Sequence, residues 1–144
     1  MQVKQLDEQG GRRTYVAVLD SGDEVVESVT KLAQDLDLRA SRLSGVGAFD
    51  RVVLGFYDFG ARDYNRNPLD AQVELLSLLG DVALKDGKPQ LHAHVVVATA
   101  DGMARGGHLL EARVHPTLEL MIEEAPGHLQ REFDPSSGLA LIKL

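Results

Sequence analysis

Two Asp-Gly dipeptides flank a short apolar segment of this 144-residue chain, and they constrain its fold more than any other feature. Asp86-Gly87 and Asp101-Gly102 are typical of the tight turns that join antiparallel strands. The segment between them, residues 90–98, is predicted to be a strand, and residues 103–114 are predicted to return beside it. The sequence therefore predicts consecutive antiparallel hairpins in this part of the chain.

One amphipathic helix is predicted ahead of these strands. Apolar residues recur at helical spacing from Val25 to Leu36, after the turn-forming residues 20–23, which offer an N-cap. The acidic residues Asp23, Glu24 and Glu27 suit the positive end of a helix dipole. We expect this helix to end at about residue 36.

Most of the remaining chain has strand character. Residues 59–70 are rich in Gly, Asn, Pro and Asp and predict a loop, and Gly80 predicts a bulge or a sharp bend. The predicted strands are residues 15–19, 39–46, 51–57, 72–79, 82–85, 90–98, 103–114, 116–124 and 139–144. Many short strands and one early helix predict a single α+β domain over residues 1–144, with a mostly antiparallel sheet.

Composition narrows the functional classes. The chain has no Cys, so a metal site would use His and carboxylate ligands. No apolar run approaches the length of a membrane span, and the N-terminus lacks the apolar core of a secretory signal, so we expect a cytoplasmic protein. The net charge of −7 and the lack of a dense basic patch argue against autonomous DNA binding.

Three histidines form the candidate functional site. His92 and His94 are two residues apart in a predicted strand, so their side chains point to the same face. His108 follows Gly106-Gly107 in the next predicted strand. Three imidazoles with one open position are the arrangement of catalytic zinc, although iron, nickel, manganese or copper would also accept such ligands. The alternative interpretation is three ordinary half-buried histidines on a polar face.

The register of the second hairpin decides whether His108 can join the pair. A two-residue turn at Asp101-Gly102 would place His94 opposite Leu109 and leave His108 on the other face. Either a bulge at Gly106-Gly107 or a three-residue turn would correct this register. The metal hypothesis therefore predicts one of these two distortions.

Acidic residues near the histidines are candidates for proton transfer or for orienting a ligand. Glu111 lies three residues after His108 and is the best candidate for a catalytic base, ahead of Glu74 and Glu119. The alternative for each is a solvated charge. His115 and His128 lie outside the cluster and are predicted to be surface residues.

The chain resembles the plant and prokaryote conserved (PPC) domain family. The resemblance runs from about Tyr15 to Leu141 and rests on motifs that occur in order. These motifs are Gly45-Val-Gly-Ala-Phe49, Leu54-Gly-Phe-Tyr-Asp58, Glu74-Leu-Leu-Ser-Leu-Leu-Gly80, Asp86-Gly-Lys-Pro89, Leu91-His-Ala-His94, Gly106-Gly-His-Leu-Leu-Glu111 and Pro116-Thr-Leu-Glu119.

The resemblance implies a mixed sheet with the helix packed on it, and assembly into homotrimers. Plant members of the family accompany AT-hook motifs in nuclear proteins, and bacterial members are described as predicted DNA-binding proteins. This chain has no Arg-Gly-Arg-Pro core of an AT-hook. Some prokaryotic relatives resemble three-histidine metal proteins, and the fold is remotely similar to that of the zinc enzyme acetolactate decarboxylase.

Three functional hypotheses follow. The first is a trimeric PPC-domain module for regulation, DNA binding or assembly, which carries zinc at His92, His94 and His108. The second is a metal-dependent enzyme that acts on a small carbonyl or carboxylate substrate, with Glu111 as the proton acceptor. The third is an assembly domain whose histidines pack at a subunit interface.

Overall fold

The computed structural model describes all 144 residues and contains nine strands and one helix. Strands hold 69% of the residues, so the helix is a small element placed against an extensive sheet. The elements in chain order are β1 (Gln2–Gln9), β2 (Arg12–Asp20), α1 (Val25–Asp35), β3 (Ala40–Asp58), β4 (Asp63–Leu69), β5 (Val73–Lys85), β6 (Lys88–Ala98), β7 (Ala104–Glu124), β8 (Gln130–Asp134) and β9 (Leu139–Lys143).

The strands form one mixed sheet in the order β1-β2-β7-β3-β5-β8-β9, with β4 beside β3. Every pairing is antiparallel except the short parallel contact between β5 and β8. β6 pairs with both β5 and β7, and β7 also pairs with β3, so β3, β5, β6 and β7 close into a ring. This closure brings the two histidine-bearing strands side by side.

The α+β class is confirmed, but the helix is a smaller part of the fold than predicted. It covers eleven residues, begins after Glu24 and buries Val25, Val29, Leu32 and Ala33. The Glu24 side chain accepts a hydrogen bond from the Glu27 amide and caps the helix, where the turn residues 20–23 were expected to do so. The Asp23 carboxylate instead accepts from the Asp20 amide. With eleven residues, α1 is too short to span a membrane.

Several predicted strand ends are wrong, because the residues predicted to end a strand lie inside longer strands. The predicted strands 39–46 and 51–57 are parts of the single strand β3, which begins at Ala40, and the predicted strands 103–114 and 116–124 are parts of β7, which begins at Ala104. The predicted loop over residues 59–70 contains β4, whose polar side chains are mostly exposed at a sheet edge. β1 and β8 had no predicted counterpart.

Gly80 does not form the predicted bulge. The register between β5 and β6 shifts between Leu75 and Ser77 instead. A Cβ at Gly80 would lie 2.6 Å from the carbonyl oxygen of His92, so glycine allows the histidine strand to approach closely.

Candidate metal centre

β6 presents two of the three histidines. Its alternation buries Ala93 and Val95 on one face and directs His92 and His94 to the other. The predicted turn at Asp86-Gly87 is present, with both residues at positive φ. The sequence therefore specified this half of the site through strand periodicity and one turn.

β7 supplies the third histidine directly across from the second. His94 pairs with His108 in a regular register, and no bulge interrupts it at Gly106-Gly107. The Thr99 amide donates to the Met103 carbonyl at 3.1 Å, and Gly102 has φ 78°, so a three-residue turn sets the register. Of the two predicted corrections, the three-residue turn is right and the glycine bulge is wrong.

At least one of the two glycines, Gly107, is needed because another strand's backbone approaches it closely. A Cβ at Gly107 would lie 2.8 Å from the carbonyl oxygen of Gly55 on β3. The irregularity of β7 lies farther along the strand, where Leu54 pairs with Leu109 and Val53 pairs with Glu111. Glycine at 107 therefore lets β7 lie between β6 and β3 at the histidines.

His92, His94 and His108 form a compact triad, which we call the histidine cluster. Their ring centroids are 5.2–5.4 Å apart. One ring nitrogen from each lies within 4.8 Å of the others. Rotation of the rings can therefore bring three nitrogens onto one ion.

The electrostatics of the cluster favour neutral imidazoles. Burial is the main cause that lowers the pKa of His108 to about 4, and proximity to His92 and His94 contributes to the same shift. Burial and the neighbouring His92 also lower the pKa of His94. Neutral imidazole is the form that ligates metals, so these nitrogens are free to bind an ion at neutral pH.

A buried polar atom shows that the cluster fits a metal. The Nδ1 atom of His108 is buried and has no hydrogen-bond partner. An unpaired buried nitrogen costs free energy unless it finds a proton donor, a proton acceptor or a metal. The donor set and this unpaired atom together agree with a metal held by three imidazoles.

Asp81 lies beside the cluster and was not among the residues predicted from the sequence. Its Oδ2 atom is 3.5 Å from the Nδ1 atom of His92, and its Oδ1 atom pairs with Arg131, whose side chain is only 6% exposed. Burial by itself raises the pKa of Asp81, but contact with His92 and Arg131 outweighs it, and the pKa lies below the usual range. A carboxylate on the far nitrogen of a ligating histidine orients the ring and raises its basicity.

The position of Asp81 opposite His92 follows from the predicted turn at Asp86-Gly87. A two-residue turn at these positions pairs Lys85 with Lys88, and counting back along both strands brings Asp81 opposite His92. The sequence analysis instead favours Glu111, because it lies three residues after His108, ahead of Glu74 and Glu119. Strand register was the better guide.

The hypothesis of a metal at the histidine cluster predicts that Asp81→Asn weakens the affinity for added zinc by about 10–100-fold, because His92 loses its anionic partner while the side-chain shape is kept. Competition with a chromophoric chelator measures this affinity. Asp86→Asn is the matched control, since it makes the same change in the same hairpin away from the cluster. Equal zinc affinity in the two variants, with both folded by circular dichroism, would contradict the role of Asp81.

Acid is expected to destabilise the metal-free protein. Unfolded His108 titrates near its ordinary pKa of 6.5 and folded His108 near 4, so only the unfolded chain takes up this proton between those values. The contribution is present above pH 6.5 and is lost as the pH falls toward 4. Allowing for solvent access, we expect a loss of about 1–2 kcal/mol. Urea unfolding across this pH range tests it, and His108→Gln should flatten the dependence.

A cavity of about 320 Å³ adjoins the cluster. His92 and His108 line it, and Tyr64 of β4 stacks on the His108 ring with centroids 4.7 Å apart. Tyr64 falls in the segment predicted to be a loop, so its contact with the site was missed. The opposite wall comes from the hairpin of β8 and β9.

The other residues singled out by sequence lie outside the cluster. Glu111 pairs with Arg66 and lines a groove beside α1, so its role as a base stays a prediction. Glu74 and Glu119 are exposed. His115 and His128 are also exposed, as predicted, and the Nδ1 atom of His115 hydrogen-bonds with the Ser21 hydroxyl at 2.8 Å.

Comparison with known proteins places these features in a family. The model of the Plants and Prokaryotes Conserved (PCC) domain matches residues 6–126. Two bifunctional GlmU proteins from Synechococcus strains are 29% and 30% identical over 132 residues, which is 90% of this chain. The chain spans about a fifth of the length of these curated relatives.

Solved structures with the same fold include a metal-containing protein from Archaeoglobus fulgidus. It is 32% identical, with a TM-score of 0.85 over 91% of this chain and 93% of its own. A proposed DNA-binding protein from Ralstonia eutropha is 31% identical, with a TM-score of 0.87 over 98% of this chain and 96% of its own.

The predicted remote likeness to acetolactate decarboxylase is confirmed at the level of fold. The Bacillus subtilis enzyme matches with a TM-score of 0.59 and 13% identity, over 88% of this chain and 58% of the enzyme. At this identity the likeness concerns the fold alone, and function must be argued from the site.

Proposed function

The chain belongs to the Plants and Prokaryotes Conserved domain family, and we propose that it is a homotrimeric module that holds one zinc ion per chain at His92, His94 and His108. The observation that carries the proposal is the convergence of three imidazole nitrogens within 4.8 Å. Imidazole ligands suit zinc, and three protein ligands leave a position for a water or a ligand. Zinc held there would supply Lewis acidity.

Support for the metal comes from two further features. The unpaired Nδ1 atom of His108 and the carboxylate of Asp81 beside His92 are both expected around a metal ligated by histidines. A relative of the same fold, at 32% identity, is a metal-containing protein. The unpaired His108 nitrogen favours a bound metal over histidines packed without one.

Elemental analysis of protein purified without chelators tests the proposal. We expect about one equivalent of zinc per chain, lost on treatment with a chelator and restored when zinc is supplied. Protein that stays metal-free after zinc is supplied, while it remains folded, would overturn it.

An exposed apolar row supports the proposed trimer. Leu79 is 63% exposed, and Met121 and Val96 are each 41% exposed. Leu79 pairs with His94 across β5 and β6, so it lies on the same sheet face as that histidine. Apolar side chains on one sheet face are typical of subunit interfaces. We expect the protein to sediment as a trimer and Leu79→Asp to shift it to smaller species, whereas the exposed Phe133→Asp on β8 should not. A native monomer at micromolar concentration would contradict the trimer.

Direct DNA binding is the weaker part of the hypothesis. It is supported by relatives of the same fold that are proposed to bind DNA. The net charge of −7 favours a role in protein assembly over contact with phosphates. Retention on duplex DNA at low salt that falls steeply as salt is added would support direct DNA binding. No retention at low salt would contradict it.

A metal-dependent enzyme remains the second candidate function. The observation in its favour is the cavity beside His92 and His108, because a structural metal site needs no adjoining space. His94 is exposed, so solvent reaches the cluster. Glu111 is retained as its proposed proton acceptor, and Glu111→Gln should then lower turnover without changing zinc content.

A further inference from the structure

The cavity beside the histidine cluster is built from two parts of the chain. One wall is the family's shared sheet, with Tyr64, His92 and His108. The other is the hairpin of β8 and β9, which lies beyond the residues 6–126 matched by the family model. This hairpin is tied to the sheet by the parallel contact of β5 with β8 and by a hydrogen bond of 2.8 Å from the Tyr57 hydroxyl to the Ser137 carbonyl.

The charged side chains that line the cavity are all cationic. Lys85 and Arg131 lie side by side where β5 and β8 pair, and both line the cavity. Lys85 has no ion-pair partner, whereas Arg131 is paired with Asp81 through its terminal nitrogen. No carboxylate lines the cavity. A wall with a free cation and no acid is complementary to an anion.

An unpaired atom on Arg131 adds to this argument. The side chain is 6% exposed, and its Nε atom is buried without a hydrogen-bond partner. A buried guanidinium nitrogen without an acceptor is costly, and the negative charge of an anion in the cavity would stabilise the Arg131 guanidinium through its field. Neutral polar groups from Tyr64 and Gln90 complete the polar wall.

The remaining surface is apolar and the space is small. Leu91 on β6 and Leu139 and Leu141 on β9 line the cavity. Its volume of about 320 Å³ lies at the lower end of the range for ligand sites. The cavity therefore suits a small molecule with a charged end and a short hydrocarbon body.

We propose that this cavity binds a small organic monocarboxylate, with its carboxylate between Lys85 and the histidine cluster and its hydrocarbon body against Leu139 and Leu141. The inference rests on the proposed function, because zinc held by three neutral imidazoles keeps its positive charge at one end of the cavity. It assigns ligand selection to Lys85 and to the C-terminal hairpin.

Butyrate is a suitable probe, because it has one carboxylate and a short chain. Isothermal titration of zinc-loaded protein should show that butyrate binds at least about tenfold more tightly than butyramide, and that butylammonium does not bind. Lys85→Met should weaken butyrate binding about tenfold at unchanged zinc content. Lys88→Met is the matched control, since Lys88 is in the same hairpin but does not line the cavity.

A second variant tests the hairpin. Leu139→Ala should weaken butyrate binding more than acetate binding, because only butyrate reaches the leucines. Equal affinity for butyrate and butyramide, or equal effects of Lys85→Met and Lys88→Met, would overturn the inference while the zinc site stands. Protein that takes up no zinc would overturn the proposed function and the inference with it, and the zinc assay separates these cases.

Discussion

Zinc content is expected to fall from about one equivalent per chain to nearly none when His94 is replaced with alanine. His94 sits between His92 on the same strand and His108 across the β6–β7 pair, so its loss leaves two nitrogens that cannot complete the set. Loss of an outer partner of a metal ligand costs about 10–100-fold in affinity, so loss of a ligand should cost more than about 100-fold. Chelator competition and elemental analysis measure this.

His94 is the most informative of the three positions because its side chain is exposed. Truncating it removes little buried surface, so lost zinc cannot be attributed to unfolding. His128→Ala is the control, since His128 is also exposed but lies outside the cluster. A His94→Ala protein that keeps one equivalent of zinc with the affinity of the native protein would contradict the assignment.

The second large effect is expected at Gly47, where β3 crosses close to β7. A Cβ at this position would lie 2.3 Å from the Thr117 carbonyl oxygen and 2.8 Å from the Leu118 Cα atom. Both contacts are with backbone, so no side-chain rotation relieves them. Gly47→Ala should therefore lower the free energy of unfolding by about 3 kcal/mol and the melting temperature by roughly 10 °C.

Gly127 provides the control for this substitution. A Cβ there would meet no atom within 4 Å, and its φ is not positive, so Gly127→Ala should change stability by less than about 0.5 kcal/mol. Chemical unfolding of both variants makes the comparison. Equal stabilities would show that β3 and β7 are not packed as described, and the closure that joins the histidine strands would be in doubt.

The sequence predicted the convergence of the three histidines better than it predicted the strand ends. Strand periodicity placed His92 and His94 on one face, and the two Asp-Gly turns fixed the order of β5, β6 and β7. These features depend on neighbours along the chain, where local sequence patterns are informative. The choice between a bulge and a three-residue turn needed the structure, because one residue of register inverts a face.

The unpredicted parts depend on contacts between distant segments. The sequence of β4 contains Asn, Arg and Pro and predicts a loop. Its backbone nevertheless pairs with β3, and this pairing stacks the Tyr64 ring on His108. The hairpin of β8 and β9 reaches the cavity from the C-terminus. Neither position follows from local periodicity. The zinc identity, the trimer and the role of Glu111 stay predictions.

X-ray absorption at the zinc edge of the zinc-loaded native protein tests the central claim most directly. We expect three imidazole nitrogens at about 2.0–2.1 Å and a fourth ligand that is not imidazole, such as a water oxygen, with one imidazole fewer in His94→Ala wherever residual zinc remains. A spectrum without imidazole scattering, or one unchanged by His94→Ala, would contradict a zinc site at His92, His94 and His108.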